Sequence, residues 1–349
     1  MTKLHLKTGL LVSFMLVLSA CSKHMQIETD LDDLSNRLES FTGISISALD
    51  TEIIAENQVS GQKLRAPTRP TLRFEIPEMQ INFREFYALD DCPLGQFIAE
   101  RNTALGKTQL PSTRFAYEKQ LLITLNDCLR QLDQGQMSAE SSLIKSMRAW
   151  HLQKSENIGQ AWANMITQSD ETYLGFTTAG DFISGGESDS LQATKLSLEM
   201  LLEALNAPQL EASRLEAHLK DLSIARLPAR MWRTQALITH ELRPMTRLLR
   251  RYMFENPCNN IKTREDIKIM RNIFTVFFAD KIQPLASELN RYQYALNPLF
   301  EEFANHPELP ASFKQYIKSQ YFDSELVYKA AMQENVEAWQ AVFAHCDTN

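Results

Sequence analysis

Few side chains in this sequence stand at spacings that could do chemistry. Glu100, Arg101 and Asn102, followed by Lys107 and Ser112, make a polar knot where one helix is expected to hand over to the next. In a binding or catalytic site Arg101 would hold an anionic group and Glu100 would take a proton. The same residues also suit capping, with Asn102 closing one helix, Ser112 opening the next and Glu100 and Arg101 tying the turn. Capping is the ordinary use of polar groups at such a junction.

A second cluster is basic: Arg226, Arg230, Arg233, Arg243, Arg247, Arg250 and Arg251. Arg243, Arg247, Arg250 and Arg251 fall within three turns of one expected helix. They could meet phosphate headgroups or an acidic partner, or form a solvated face paired with nearby carboxylates. Other patterns fall short of chemistry. His240-Glu241-Leu242-Arg243-Pro244 lacks the second His of a zinc-protease helix, and Ser184-Gly185-Gly186 lacks the frame of a nucleophile elbow. The remaining histidines stand without ligand spacing, no glycine loop is built to cradle a phosphate, and neither metal nor cofactor is expected. Trp150, Trp162, Trp232 and Trp339 sit on apolar stripes and read as core anchors.

The cysteines divide by position. Cys21 closes the run Leu18-Ser19-Ala20-Cys21, behind Lys3, Lys7 and an apolar stretch from Gly9 to Leu18. That stretch is shorter than the roughly 20 residues a membrane-crossing helix needs, so residues 1–20 read as a secretion leader. Its end resembles the lipobox of bacterial lipoproteins, which implies an acylated N-terminus at Cys21. Two or three acyl chains hold a soluble domain on a bilayer, since each buried methylene contributes about 0.8 kcal/mol. Ser22 stands where an Asp would favour inner-membrane retention, so the resemblance points to the outer membrane, facing the periplasm. Cys92, Cys128, Cys258 and Cys346 remain, an even number that in an exported chain suggests two disulfides. Of three connectivities, Cys92 with Cys128 and Cys258 with Cys346 is expected, because each pair would staple neighbouring segments.

Composition sets the fold class. The formal net charge of the full chain is −7, and losing the leader removes two lysines more, a poor match for nucleic acid. Hydrophobic residues make up 44%, normal for a globular core. There are only 11 glycines and the last is Gly186, so Ser188 to Asn349 contains none. Tight hairpins need residues at positive φ, usually Gly or Asn. A mostly α fold follows, a multi-helix body with a loop-rich N-terminal strap.

Along the chain, residues 21–80 read as tether, short helix and strap, and 81–349 as the helical body. Asp30 or Asp32 could cap a first helix carrying Leu31, Leu34, Leu38 and Phe41, closed by Gly43. Leu72, Phe74 and Ile76 alternate like a short strand or an extended strap. Pro93 starts one helix and Pro111-Ser112 a longer one, with Phe115, Leu122, Leu125, Leu129 and Leu132 as its seam. Leu143, Ile144, Met147 and Trp150 mark a helix capped near Ser138, and Ile158, Trp162, Met165 and Ile166 another. The stretch 177–190 is the expected loop and the best place for a subdomain boundary. A helical pair follows around Pro208. Pro228 then opens a helix to Phe254, with Pro244 inside. Thr263 to Phe303 is apolar at helical spacing, broken or bent near Pro284 and Pro298. Pro310 opens a shorter helix, and Tyr328, Met332, Val336, Trp339 and Phe343 mark the last.

Several of these segments resemble a family of uncharacterised proteobacterial lipoproteins, the domain of unknown function 3080. They are Cys92-Pro93-Leu94, Glu100 to Lys107, Pro111-Ser112-Thr113, Tyr117-Glu118, Cys128-Leu129, Val276-Phe277-Phe278, Gln283-Pro284-Leu285 and Trp339-Gln340 through Cys346. The resemblance spans most of the mature chain and implies an envelope location without an activity. The expected function is therefore a non-catalytic envelope factor that binds another protein or a cell-wall component, with the bilayer as its other partner through the acyl chains on Cys21. Two alternatives make different structural demands. A wall or lipid hydrolase needs two carboxylates about 5 to 9.5 Å apart in a cleft, and a carrier of an apolar ligand needs a dry cavity lined by residues such as Phe274, Phe277 and Phe278.

Overall fold

The computed structural model describes residues 26–47, 66–89, 92–101, 109–135, 139–257 and 261–345. Helices dominate, and no strand occurs among the described residues, in keeping with the scarcity of glycine. In chain order the helices are α1 (Gln26–Thr42), α2 (Phe83–Tyr87), α3 (Leu94–Arg101), α4 (Pro111–Asp133), α5 (Ser141–Gln168), α6 (Asp170–Thr177), α7 (Ser188–Glu203), α8 (Ala212–Ala225), α9 (Leu227–Glu255), α10 (Ile261–Ile273), α11 (Gln283–Asn305), α12 (Ala311–Ile317) and α13 (Ser324–Ala344). Two π-helical segments, Phe274–Ile282 and Lys318–Asp323, join α10 to α11 and α12 to α13.

Helix α1 buries Ile27, Leu31, Leu34 and Leu38 on one stripe. Gly43, at φ 70°, ends it by donating its N–H to the Glu39 carbonyl at 2.8 Å, a left-handed position that glycine adopts without a Cβ clash. The start differs from expectation, because the helix is already formed at Gln26. Asp30 therefore caps nothing; it is buried within α1 and takes the Lys281 ammonium at 2.9 Å.

The strap begins with a 3₁₀ turn, Arg69–Leu72, and runs on extended. Leu72, Phe74 and Ile76 do turn inward while Arg73, Glu75 and Pro77 stay exposed, but what they meet is a helix. Along α5, Asn164 stands in for a neighbouring strand: its carboxamide oxygen accepts from the Phe74 N–H and its Nδ2 donates to the Phe74 carbonyl, each at 2.8 Å. Gln168 donates to the Arg69 carbonyl and Ser146 to Glu85, so the strap follows α5 backwards over most of its length.

Helix α5 is one unbroken element where the apolar spacing predicts two, and it begins at Ser141, with Ser138 outside the described residues. It packs antiparallel on α4 and reaches into two separate cores. The large one holds Phe115, Trp162, Phe176, Trp232, Leu289, Phe300 and Trp339 among many others. The small one, at the far end of the α4–α5 pair, holds Leu89, Cys92, Leu94, Ile98, Leu121, Leu125, Cys128, Leu143, Met147 and Trp150. On α4 the deepest seam residues are Phe115, Leu121, Leu125 and Cys128, with Leu122, Leu129 and Leu132 half-buried.

In the large core, α9 and α13 run parallel. Asn335 Nδ2 meets Thr246 Oγ1 and His345 Nε2 meets the Asn256 carbonyl, both at 3.0 Å and both at a separation of 89 residues. Pro244 lies inside α9 and Pro298 inside α11 without ending either helix. Ahead of Pro284 the chain widens into the first π segment, whose last N–H, that of Gln283, reaches back to Phe278. A Cβ at Gly159 would overlap the Glu308 carboxylate, which would have to swing aside.

Candidate functional site

The structure splits the arginine run in two. Arg226, at φ 45°, forms the left-handed joint between α8 and α9 and donates from Nε to the Ser223 carbonyl. Arg230 is buried and holds loop 178–187: Nε lies 2.6 Å from Asp181, Nη1 and Nη2 take the Glu187 carboxylate at 2.5 and 2.8 Å, and Nη2 also reaches the Phe182 carbonyl. Arg233 donates to the Ala179 carbonyl and stacks over the Phe182 ring. Arg251 pairs with Glu255 at 2.8 Å. Arg243, Arg247 and Arg250 have no hydrogen bond or ion pair among the described residues.

The same loop is fastened from its other side. Gly186, at φ 72°, donates its N–H to the Glu288 carboxylate at 2.8 Å, and the Tyr292 hydroxyl donates to Glu288 at 2.6 Å while accepting from the Glu187 N–H at 3.1 Å. Burial by itself would raise the Glu288 carboxyl, but hydrogen bonds from Tyr292, Gly186 and Arg291 together hold it below its ordinary value. Burial first, and the Glu288 carboxylate second, push the Tyr292 phenol up to about 12. Glu187 and Glu288 meet at the Tyr292 hydroxyl, and their oxygens are taken by Arg230, Ser184, Gly186, Tyr292 and Arg291.

A second polar layer lies between the two cores. Lys154 of α5 meets Glu118 of α4 at 2.7 Å with both side chains under 5% exposed, and Arg114 adds a contact to Glu118 at 3.0 Å. Next to it Lys119 Nζ donates to the carbonyls of Ala204, Leu205 and Ala207 at 2.8, 2.8 and 2.5 Å, closing the C-terminal end of α7. Burial lowers the Lys119 pKa. Ser112 does not cap α4, whose N-terminal boundary is Leu110-Pro111; its hydroxyl, like that of Thr113, donates to Glu216 of α8. The side chains of Glu100 and Arg101, and all of Asn102 and Lys107, lie outside the described residues.

The remaining readings can now be placed. Cys92 and Cys128 form a disulfide, Cα to Cα 6.1 Å, between the turn that leads into α3 and the body of α4. Cys21, Cys258 and Cys346 lie outside the described residues, while Asn256 and His345, close to the last two, are in contact. Phe274 packs on Phe278, Trp339 and Phe343 at 5.3 to 5.5 Å between ring centres, and Phe277 lies under Arg37 and Lys281. Phe278 is part of the core, and Phe274 and Phe277 are half-buried against it. An open groove of about 530 Å³ does run between α11 and α13, over Ala286, Tyr328, Met332 and Val336. The Tyr328 hydroxyl there is buried without a hydrogen-bond partner among the described residues, and burial raises its pKa. No group of three or more His, Cys, Asp or Glu among the described residues could hold a metal ion.

With the geometry in place, comparison identifies the chain. A family model described as "Protein of unknown function (DUF3080)" matches residues 31–349. The chain belongs to the DUF3080 family. No curated protein and no solved structure matches it. The matched span starts inside α1 and takes in the small core, all of the large core but Ile27, and both polar layers, whereas residues 1–30, Cys21 among them, precede it.

Within this DUF3080 fold His306 carries a pKa lowered by its surroundings. Its ring lies tilted against Trp162, centroids 4.2 Å apart, and its Nδ1 accepts the Glu308 N–H at 3.3 Å, which needs that nitrogen unprotonated. Burial lowers its pKa below the ordinary 6.5 and Lys314 acts in the same direction, while Glu302 and Glu308 oppose them. The unfolded chain therefore binds the proton first, and stability that is complete above about pH 6.5 is lost as pH falls below it. Urea midpoints measured from pH 7.5 to 5.5 should fall for the wild type and stay flatter for His306→Gln. Parallel curves would show that His306 is not the group responsible.

Proposed function

We propose that this protein is a lipid-anchored envelope factor, facing the periplasm, that works by binding another protein or a cell-wall component rather than by catalysis. What supports this most is the use made of buried charge. Glu118 goes to Lys154 and Arg114, Glu187 to Arg230, Glu288 to Gly186 and Tyr292, Asp30 to Lys281, and Lys119 to three carbonyls. An acid–base site turns a lone pair or a proton toward a substrate; these groups turn theirs toward one another and lock helices and a loop into a rigid frame.

In this reading the acyl chains on Cys21 do the holding, and Ser22 directs the protein to the outer membrane. No helix among the described residues is long and apolar enough to cross a membrane. The second disulfide, Cys258 to Cys346, belongs to the same reading, and the 3.0 Å contact of Asn256 with His345 supports it. A palmitate analogue should label the wild type and miss Cys21→Ser, and the acylated protein purified from envelopes should carry a stoichiometric partner. If it instead releases product from purified sacculi or phospholipid, and Glu288→Gln stops the release, the protein is a hydrolase and the binding reading fails.

A further inference from the structure

The unpaired half of the arginine run has a surface of its own. Arg243, Arg247 and Arg250 stand at i, i+4 and i+7 on one stripe of α9, and Phe254, 89% exposed, extends it at i+11. Around them the sequence has no lysine between Lys220 and Lys262. Nε and Nη2 of Arg247 are shut off from water with no acceptor among the described residues, although the side chain as a whole is only half-buried. Those two atoms are closed to an outside partner as well, so Arg247 offers Nη1, and the guanidinium forks open to an arriving oxyanion are those of Arg243 and Arg250 beside it.

We propose that this stripe is the docking contact for an acidic face of another protein. Guanidinium forks match carboxylates two bonds at a time, which an ammonium cannot do. Arginine and aromatic residues are the types that concentrate at the centre of protein interfaces, and lysine is depleted there. On a chain of formal net charge −7, an acidic partner is repelled by most of the surface and guided to this patch. A bilayer fits less well. Helix α1, which follows the N-terminal tether, packs on α9 through Phe41 against Tyr252, and Tyr252 lies about 180° around the helix from Arg243 at about 100° per residue. The stripe therefore lies on the face of α9 opposite the one that α1 covers. The inference does not depend on acylation.

The test uses the full mature chain carrying Cys21→Ser, with two probes: soluble poly-L-glutamate, and vesicles of phosphatidylglycerol and phosphatidylethanolamine. Poly-L-glutamate should bind, and the combined Arg243→Gln, Arg247→Gln and Arg250→Gln change should weaken it at least about tenfold. Arg251→Gln, at a residue already paired with Glu255, should leave binding unchanged. Arg250→Lys keeps the charge and loses the fork, and should weaken binding several-fold. If the triple variant does not fold, Arg243→Gln and Arg250→Gln taken singly should each weaken binding about threefold at an unchanged thermal midpoint. No binding to poly-L-glutamate, equal binding by folded wild-type and variant proteins, or binding to the vesicles alone would each overturn the proposal. A failure of palmitate labelling would end the anchoring reading and leave this one standing.

Discussion

Lys154→Met is expected to lower stability by about 3 kcal/mol, while the double change Lys154→Met with Glu118→Leu should fall within about 1 kcal/mol of the wild type or exceed it. The single change takes the Lys154 ammonium away from the Glu118 carboxylate between two apolar cores, while the Arg114 contact, itself partly in solvent, remains. Breaking a buried pair from one side ordinarily costs about 3 to 5 kcal/mol, and the Arg114 contact places this case at the lower end. Removing both charges together removes the desolvation penalty with the attraction, so apolar side chains of similar size can do as well. Urea unfolding and the thermal midpoint measure both, and the single variant should melt about 4 °C lower. If the double variant is as unstable as the single one, the layer is held by something other than this pair. The expected outcome also assigns the pair a role beyond net stability: one salt bridge between two long helices fixes how far each slides along the other.

The same pair explains what the sequence hid. Lys154 occupies an inward position of α5, continuing Leu143, Met147 and Trp150 toward Ile158 and Trp162. Taken as a surface residue, it leaves a gap in the apolar stripe, and that gap is why one helix of 28 residues reads as two. Glu118, three residues beyond Phe115 on α4, is the matching intruder. Opposite charges on two facing apolar stripes were the available signal, and helix periodicity counted over apolar residues alone discards it. The helical class, by contrast, was legible from missing glycines, and Gly43, Gly135 and Gly186 fall at positive φ where helix ends and loops demand them. The alternation of Leu72, Phe74 and Ile76 was also legible, but a side chain such as Asn164 replacing a strand leaves no pattern to find. Arg230 looked like surface charge for a related reason: its partners, Asp181 and Glu187, come from a loop whose path only the packed fold defines.

Reducing the Cys92–Cys128 bond, or replacing both cysteines with alanine, should cost about 4 kcal/mol, and the loss should be local. The bond closes a loop across 36 positions, for which chain entropy gives roughly that figure. What makes it local is the small core it belongs to: ten buried residues at the far end of α4 and α5, separated from the large core by the Glu118–Lys154 layer. Helix α2 has no buried residue of its own, and α3 is held by Leu94, Ile98 and the stacking of Phe97 on Tyr117. Without the cross-link those contacts must order α2, α3 and their connections unaided, against a backbone entropy of about 1 to 2 kcal/mol per residue. Hydrogen exchange of the reduced protein should therefore show protection lost across 83–101 and at the end of α4, with amides of α7 and α11 keeping theirs. Equal loss everywhere would mean that the two cores open as one unit and that the polar layer between them does not insulate. Local loss would mean that the oxidising compartment expected for this chain completes one end of the molecule, while the large core holds its shape without it.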